Sequence, residues 1–362
     1  MEDPPIHQRQ DSWRGRLHRQ DVWRDLCRPG LNAPYKRKGG PLNPFAADPS
    51  HNMAWRRRVV GPVRRLMYSA RLRTTDGLCL PDFLGIGAQK AGTTWLWKNL
   101  NQHPRLALAR PKELHYFSFH DWAPLENYSD ILDRALRKKA PTAQRVGEIS
   151  PVYASMPPKR IRFLRRLMPR VKVVLLLRHP IDRIWSAARM QLVRRKRQSP
   201  ADIPLEAWLE HVDSAGCVAR TDYVSMLKNW LAVFPPEQIF VGSFEQLTQQ
   251  PADLLSRVFR FLKVTDLSRS IAGEGSSRVF AGPPAEMPPA LYEHLARRYR
   301  PMVERLAEME PTIAEPWLAT FDEPASTPDA KTEEPASHEP KAGEPETRPQ
   351  AAEKPETAWS TP

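Results

Sequence analysis

The residue types best suited to chemistry lie in two short stretches. Residues 83–94 read FLGIGAQKAGTT, an apolar run entering a glycine-rich turn. A P-loop NTPase carries GxxxxGK followed by Ser or Thr, with its lysine straight after the second glycine. Here the frame from Gly87 to Gly92 is followed by Thr93 and Thr94, and Lys90 sits inside the loop. A turn of this kind leading into a helix offers backbone N–H groups and the positive end of the helix dipole to an anion. The loop is therefore expected to hold phosphate or a phosphate-like group; the bland alternative is a tight turn with an exposed lysine. The second stretch, ARPKELHYFS at 109–118, supplies a carboxylate, Glu113, and an imidazole, His115. These are the usual groups for taking a proton from an attacking hydroxyl or amine. If the stretch is extended, side-chain alternation puts both on one face. The alternatives are a surface carboxylate paired with Lys112 and a satisfied, partly buried histidine.

The elements that must position these residues alternate strand and helix. DFLGIGA, RLALA, VKVVLLLR and QIFVGSF read as extended segments. VKVVLLLR is a continuous apolar run flanked by charge, too short for a membrane span and suited to a strand buried on both faces of a parallel sheet. TTWLWKNLNQH, RIRFLRRLMP, IDRIWSAARMQLVRR, YVSMLKNWLAVF, ADLLSRVFRFL and LYEHLARRYRPMVERLAEM read as helices, the second stopped by Pro169. This order predicts a three-layer α/β, P-loop-like fold with a central parallel sheet flanked by helices. In such sheets ligands gather at the carboxyl ends of the strands, where FLGIGA and VVLLLR both end.

The ends of the chain differ from its middle. Residues 1–80 form a basic extension rich in Arg, Trp and Pro, 81–321 the folded domain, and 322–362 a Pro/Glu-rich acidic tail too poor in large apolar residues to fold. Residues 54–73 carry seven arginines and no acid. They suit either an amphipathic helix lying on an acidic membrane or partner, or a solvated arm on the domain, with Gly61 and Pro62 interrupting the helix. The 362 residues hold 55 Lys+Arg against 41 Asp+Glu, a net charge of +14, so anionic partners are expected without charge alone choosing among them. The three cysteines have no metal-ligand spacing and no disulfide pattern, and no metal site is expected. Neither a membrane span nor a signal peptide is evident, which points to a cytoplasmic protein, peripheral at the inner face of a membrane if the basic extension docks there.

GAQKAGTTWLWKNLNQHP resembles the 5′-phosphosulfate loop of the sulfotransferases that use 3′-phosphoadenosine 5′-phosphosulfate (PAPS), whose pattern KxGTTWL is matched by Lys90, Gly92, Thr93, Thr94, Trp95 and Leu96. LLLRHPIDRIWSAARM resembles the second signature of that family, an arginine at a strand end and a serine eight residues later, here Arg178 and Ser186. The resemblance spans about residues 81–310. It implies PAPS as co-substrate, no metal, and a cradle built from Gly87, Gln89, Lys90, Ala91, Gly92, Thr93, Thr94 and Trp95. Trp95 would stack on adenine unless it serves the core. Arg178 and Ser186 would grip the 3′-phosphate. GEGSSRVFAGPP at 273–284 resembles the loop closing over the donor, which implies Ser276, Ser277 and Arg278 as further phosphate ligands. In that chemistry Lys90 stabilises the leaving group, since the bridging oxygen gains charge as the sulfuryl group departs.

On the acceptor side the KELHYF segment resembles the heparan sulfate sulfotransferases and their bacterial relatives, which implies Glu113 as catalytic base with His115 supporting or substituting. VGEISPVYASMP resembles a segment beside the acceptor cleft. Lys112, Glu148, Tyr153 and Tyr223 are the implied substrate contacts, although Glu148 and Tyr153 would equally serve to anchor their loop. Ile149 departs from the glycosaminoglycan branch, which has a lysine there. The implied acceptor is a hydroxyl or amine, foremost of a carbohydrate or glycoconjugate; nucleic acid is not expected. The competing readings are a P-loop kinase or NTPase and a catalytically degenerate binding protein.

Overall fold

Five parallel strands build the sheet in the computed structural model: β1 (Phe83–Gly87), β2 (Leu106–Leu108), β3 (Arg145–Ile149), β4 (Lys172–Leu177) and β5 (Ile239–Ser243). The structure describes residues 60–69, 74–121, 123–194, 198–275 and 286–322, and the sequence expectations for 1–59 and for the tail from 323 lie outside them. The strand order is β2-β3-β1-β4-β5. Every pairing is parallel, and helices flank the sheet to give the expected three-layer α/β fold. β1 is buried throughout and β4 from Val173 onward, with Leu84, Ile86, Leu175, Leu176 and Leu177 at 0% exposure, as continuous apolar runs in a parallel sheet require.

The chain leaves β1 toward β2 on one side of the sheet and leaves β4 toward β5 on the other. The neighbouring carboxyl ends of β1 and β4 thus form a topological switch point, where connections diverge and a crevice opens. Between Gly85 and Gly87 the β1–β4 register slips, and this irregularity delivers the chain into the glycine-rich turn.

β3 is a strand that no apolar run announces, because RVGEI carries a glycine and a glutamate. Packing explains the glycine: a Cβ on Gly147 would stand 2.4 Å from the Phe83 ring of the adjacent strand.

The basic segment is described from Val60, which is π-helical and runs directly into the α-helix Gly61–Ser69; the expected interruption at Gly61 and Pro62 concerns residues that lie in part outside the described ones. This helix docks on the domain: Tyr68 is buried, and Arg65 pairs with Asp121, itself 5% exposed and 3.5 Å from Arg160. Removing that carboxylate leaves two guanidinium groups without their shared anion. Asp121→Ala is expected to cost about 1–3 kcal/mol, read as a lowered denaturant midpoint with faster proteolysis within 61–69. An unchanged midpoint would show that the contact holds nothing.

Candidate active site at the carboxyl ends of β3, β1 and β4

The turn after β1 is shaped by its backbone. Lys90 has φ 72° and Gly92 φ 82°, both left-handed. Gly92 is the N-cap of the helix Thr93–Gln102, and no side chain caps its first turn. A Cβ on Gly92 would also meet the Leu247 side chain at 2.5 Å, so glycine is required twice over. The first helical turn contains no acid. Its N–H groups and dipole therefore favour an anion. Gly87, Ala88, Ala91 and Thr93 are buried, whereas Gln89, Lys90, Gly92 and Thr94 are partly exposed along the turn. The Lys90 ammonium lies 3.6 Å from Met190 Sδ. Trp95 is 5% exposed and packs in the core, the alternative to adenine stacking.

Arg178 ends β4 beside this turn. Its Nη1 donates to the Lys90 carbonyl at 3.4 Å, and its guanidinium stacks 4.3 Å over the Phe244 ring. Its Nε is buried without a hydrogen-bond partner among the described residues. A buried charged donor left unsatisfied is costly, so this atom marks a place for an anionic ligand. Arg189 lies close enough that burial first, and then the Arg178 charge, push its guanidinium below the usual arginine range. Ser186 is partly exposed on the helix Pro180–Ala188. It lies eight positions after Arg178, in the second turn of that helix. Ser276, Ser277 and Arg278 lie outside the described residues.

Glu113 and His115 do come together, but by a different route from an extended strand. Both are left-handed, with φ 68° and 56°, and the segment runs into a short π-helical turn at Tyr116–His120. Tertiary hydrogen bonds hold this shape: Glu113 N–H donates to the Ile149 carbonyl at 3.1 Å and His115 N–H to Ser150 Oγ at 3.1 Å. His115 Nε2 stands 3.4 Å from Glu113 Oε2, and Lys112 Nζ stands 2.5 Å from Oε1. Burial pushes the Glu113 carboxyl up, but the hydrogen bond from His115 and the Lys112 ammonium outweigh it and hold the group at about 2. Facing an ionised carboxylate, a neutral His115 carries its proton on Nε2. Its Nδ1 is buried with no partner among the described residues.

The other expected substrate contacts are placed in the interior. Glu148 is 1% exposed and Tyr153 and Tyr223 are 0% exposed. Glu148 Oε1 accepts from Tyr128 and Tyr153 hydroxyls, both at 2.8 Å, and Oε2 accepts from Ser150 Oγ at 3.0 Å. Burial raises its carboxyl, and these three donors partly reverse that effect. The same Ser150 Oγ receives His115 N–H, so the buried cluster braces the Glu113–His115 turn from below. Tyr223 donates to the Arg178 carbonyl at 2.8 Å and braces the other side of the site. An acceptor has no exposed surface of Glu148, Tyr153 or Tyr223 to touch in this conformation, a correction to the contact role.

Phe244, Tyr128, Ser150 and Met190 are the site residues that sequence reasoning missed. Phe244 follows β5 directly. The rule that sites form at carboxyl strand ends could have found it; the other three carry no local signal. Among the described residues no group of three or more His, Cys, Asp or Glu is placed to hold a metal ion, and no helix is long and apolar enough to cross a membrane.

Comparison with known proteins agrees with this architecture. The membrane-associated sulfotransferase kil1 of Dictyostelium discoideum is 34% identical over 136 residues, covering 37% of this chain and 28% of that protein. The human bifunctional heparan sulfate N-deacetylase/N-sulfotransferase 3 is 29% identical over 206 residues, covering 51% of this chain and 22% of that protein. The chain therefore spans about a quarter of the length of these curated relatives. A solved sulfotransferase from Alicyclobacillus acidocaldarius superposes with a TM-score of 0.50 at 27% identity, covering 66% of this chain and 98% of that one. Residues 80–273, more than half of the chain, match the family described as the sulfotransferase domain, and the chain belongs to that family.

Proposed function

We propose that this protein transfers a sulfuryl group from PAPS to a hydroxyl or amine, foremost of a carbohydrate or glycoconjugate. The observation that carries this reading is the placement of two kinds of machinery on three adjacent strands. The Lys90 turn and Arg178 stand at the ends of β1 and β4, and Glu113 with His115 is tied to the end of β3. The residues fit the donor: the unsatisfied Arg178 Nε calls for an anion, and the uncapped first turn of Thr93–Gln102 offers a second anion position. The turn from Gly87 to Thr94 would hold the 5′-phosphosulfate, and Arg178 with Ser186 the 3′-phosphate, joined by Ser277 and Arg278. PAPS, when bound, supplies the sulfuryl group.

Lys90 offsets the negative charge that develops on the leaving oxygen, and its ammonium is a proton source there. Glu113 accepts the proton of the attacking group, with His115 orienting the carboxylate and Lys112 meeting the acceptor. Sulfuryl transfer resembles phosphoryl transfer in asking mainly for positioning and charge stabilisation. A base as weak as Glu113 is adequate where the proton leaves late.

The carbohydrate assignment draws on relatives that include the heparan sulfate glucosamine 3-O-sulfotransferase 5 of Homo sapiens, 29% identical over 198 residues. The exposed Val63 and Leu66 on the Gly61–Ser69 helix, within the arginine-rich stretch 54–73, support a further contact with an acidic membrane surface.

Protection against thermal unfolding tests the donor class. Adenosine 3′,5′-bisphosphate is expected to raise the melting temperature and ATP to leave it unchanged; the reverse would favour the kinase reading. Arg178→Ala should weaken adenosine 3′,5′-bisphosphate binding by about 1.5–3 kcal/mol, the range for one charged hydrogen bond. Calorimetric titration showing equal affinity in the variant would remove Arg178 from the donor site.

A further inference from the structure

A second cationic cavity lies at the opposite end of the sheet. It has a volume of about 420 Å³ and is lined at the amino ends of the strands by Asp82, Arg145, Arg170, Lys172 and Lys263. β1 rises about 13 Å from Phe83 to Gly87 at the usual strand spacing, so this cavity is separated from the donor turn by the depth of the sheet.

Four cations meet one carboxylate there. Asp82 Oδ1 accepts from Arg145 Nη1 at 3.3 Å, and its Oδ2 is used by the Val146 N–H at 2.8 Å. Among the described residues, Arg170, Lys172 and Lys263 have no acidic partner. Free surface cations splay apart into water, but here the Lys172 side chain and the Lys263 backbone are restrained. The Lys172 ammonium donates to the Phe261 carbonyl and lies 4.7 Å over the Phe261 ring. Lys263 is the left-handed C-cap of the helix Pro251–Leu262, which fixes its position. Burial first, then the nearby charges of Lys263 and Arg145, push the Lys172 ammonium down. Field lines from such a group converge in a concave site.

We infer that this cavity is a binding site for a phosphate- or sulfate-class oxyanion, distinct from the donor turn and held by Arg170, Lys172 and Lys263. The oxyanion comes either free in solution or as a phosphomonoester lipid headgroup, and one experiment separates the two.

The full chain, saturated with adenosine 3′,5′-bisphosphate, is titrated with inorganic phosphate by calorimetry and, in a second arm, mixed with sedimenting vesicles containing phosphatidic acid. The same measurements are made on Arg170→Ser/Lys263→Asn, both exposed positions, with asparagine chosen because it tolerates the left-handed backbone. Saturable phosphate binding that weakens at least tenfold in the double variant supports a site for a free anion. Vesicle binding that falls at least tenfold in the double variant, with little binding of free phosphate, supports a headgroup site. Equal behaviour of wild type and double variant in both arms overturns the inference. So does phosphate binding abolished by Arg178→Ala and untouched by the double variant, since the anion would then belong to the donor turn. Failure of adenosine 3′,5′-bisphosphate itself to bind would count against the proposed function and leave the variant comparison readable.

Discussion

Lys90→Ala is expected to lower kcat for sulfate transfer by about 10²–10³, the usual effect of removing one fixed donor to developing charge. The substitution isolates the ammonium. Lysine and alanine both carry a Cβ, so the left-handed backbone at φ 72° is strained equally in either. The loop should keep its shape, and its backbone N–H groups should still receive the donor. Affinity for adenosine 3′,5′-bisphosphate is accordingly expected to change much less than kcat, because the charge that Lys90 meets appears chiefly as the bond breaks. Steady-state kinetics beside a nucleotide titration would separate the two. A variant that loses nucleotide affinity and retains kcat would make Lys90 a ground-state ligand instead.

The second large effect belongs to Glu113. Glu113→Gln keeps an oxygen for Lys112 and an amide beside His115 but cannot take a proton, and kcat is expected to fall by about 10²–10⁴. Its pH dependence is equally specific. The carboxyl is held at about 2 by His115 and Lys112 against the opposing effect of burial. A depressed carboxylate stays ionised as pH falls through the ordinary glutamate range, so the base remains available there. The profile of kcat/KM should therefore show no acid limb from this group near pH 4–5. A limb centred in that range and absent in Glu113→Gln would mean that the Lys112–His115 clamp is open in the working enzyme.

That clamp also explains what could not be seen in the sequence. Glu113 and His115 were legible as a carboxylate and an imidazole at a useful spacing. Their shared side of the segment was expected from strand alternation, whereas two left-handed residues bring them together. Those dihedrals depend on the Ile149 carbonyl and Ser150 hydroxyl, 36 and 35 residues away from their respective partners in sequence, and no local pattern encodes such bonds. β3 was hidden for a related reason, since a buried Glu148 is tolerable only with the Tyr128, Tyr153 and Ser150 hydroxyls around it. By contrast β1 and β4 were plain, because strands covered on both faces must be apolar throughout. Their ends were expected to lie together, and the family resemblance set Lys90 and Arg178 there.

The central claim is that Lys90 and Glu113 move a sulfuryl group between a nucleotide donor and an acceptor held across the ends of β1 and β3. Its most direct test is transfer of radiolabelled sulfate from PAPS to desulfated glycosaminoglycan and to fractionated lysate of the source organism. Wild type, Lys90→Ala and Glu113→Gln would be compared at saturating donor. The expected result is label in an acceptor fraction with wild type, and losses of about two orders of magnitude or more in each variant with nucleotide binding preserved. Label transferred at the wild-type rate by both variants, or by none of the three proteins to any fraction while the nucleotide binds, would contradict it.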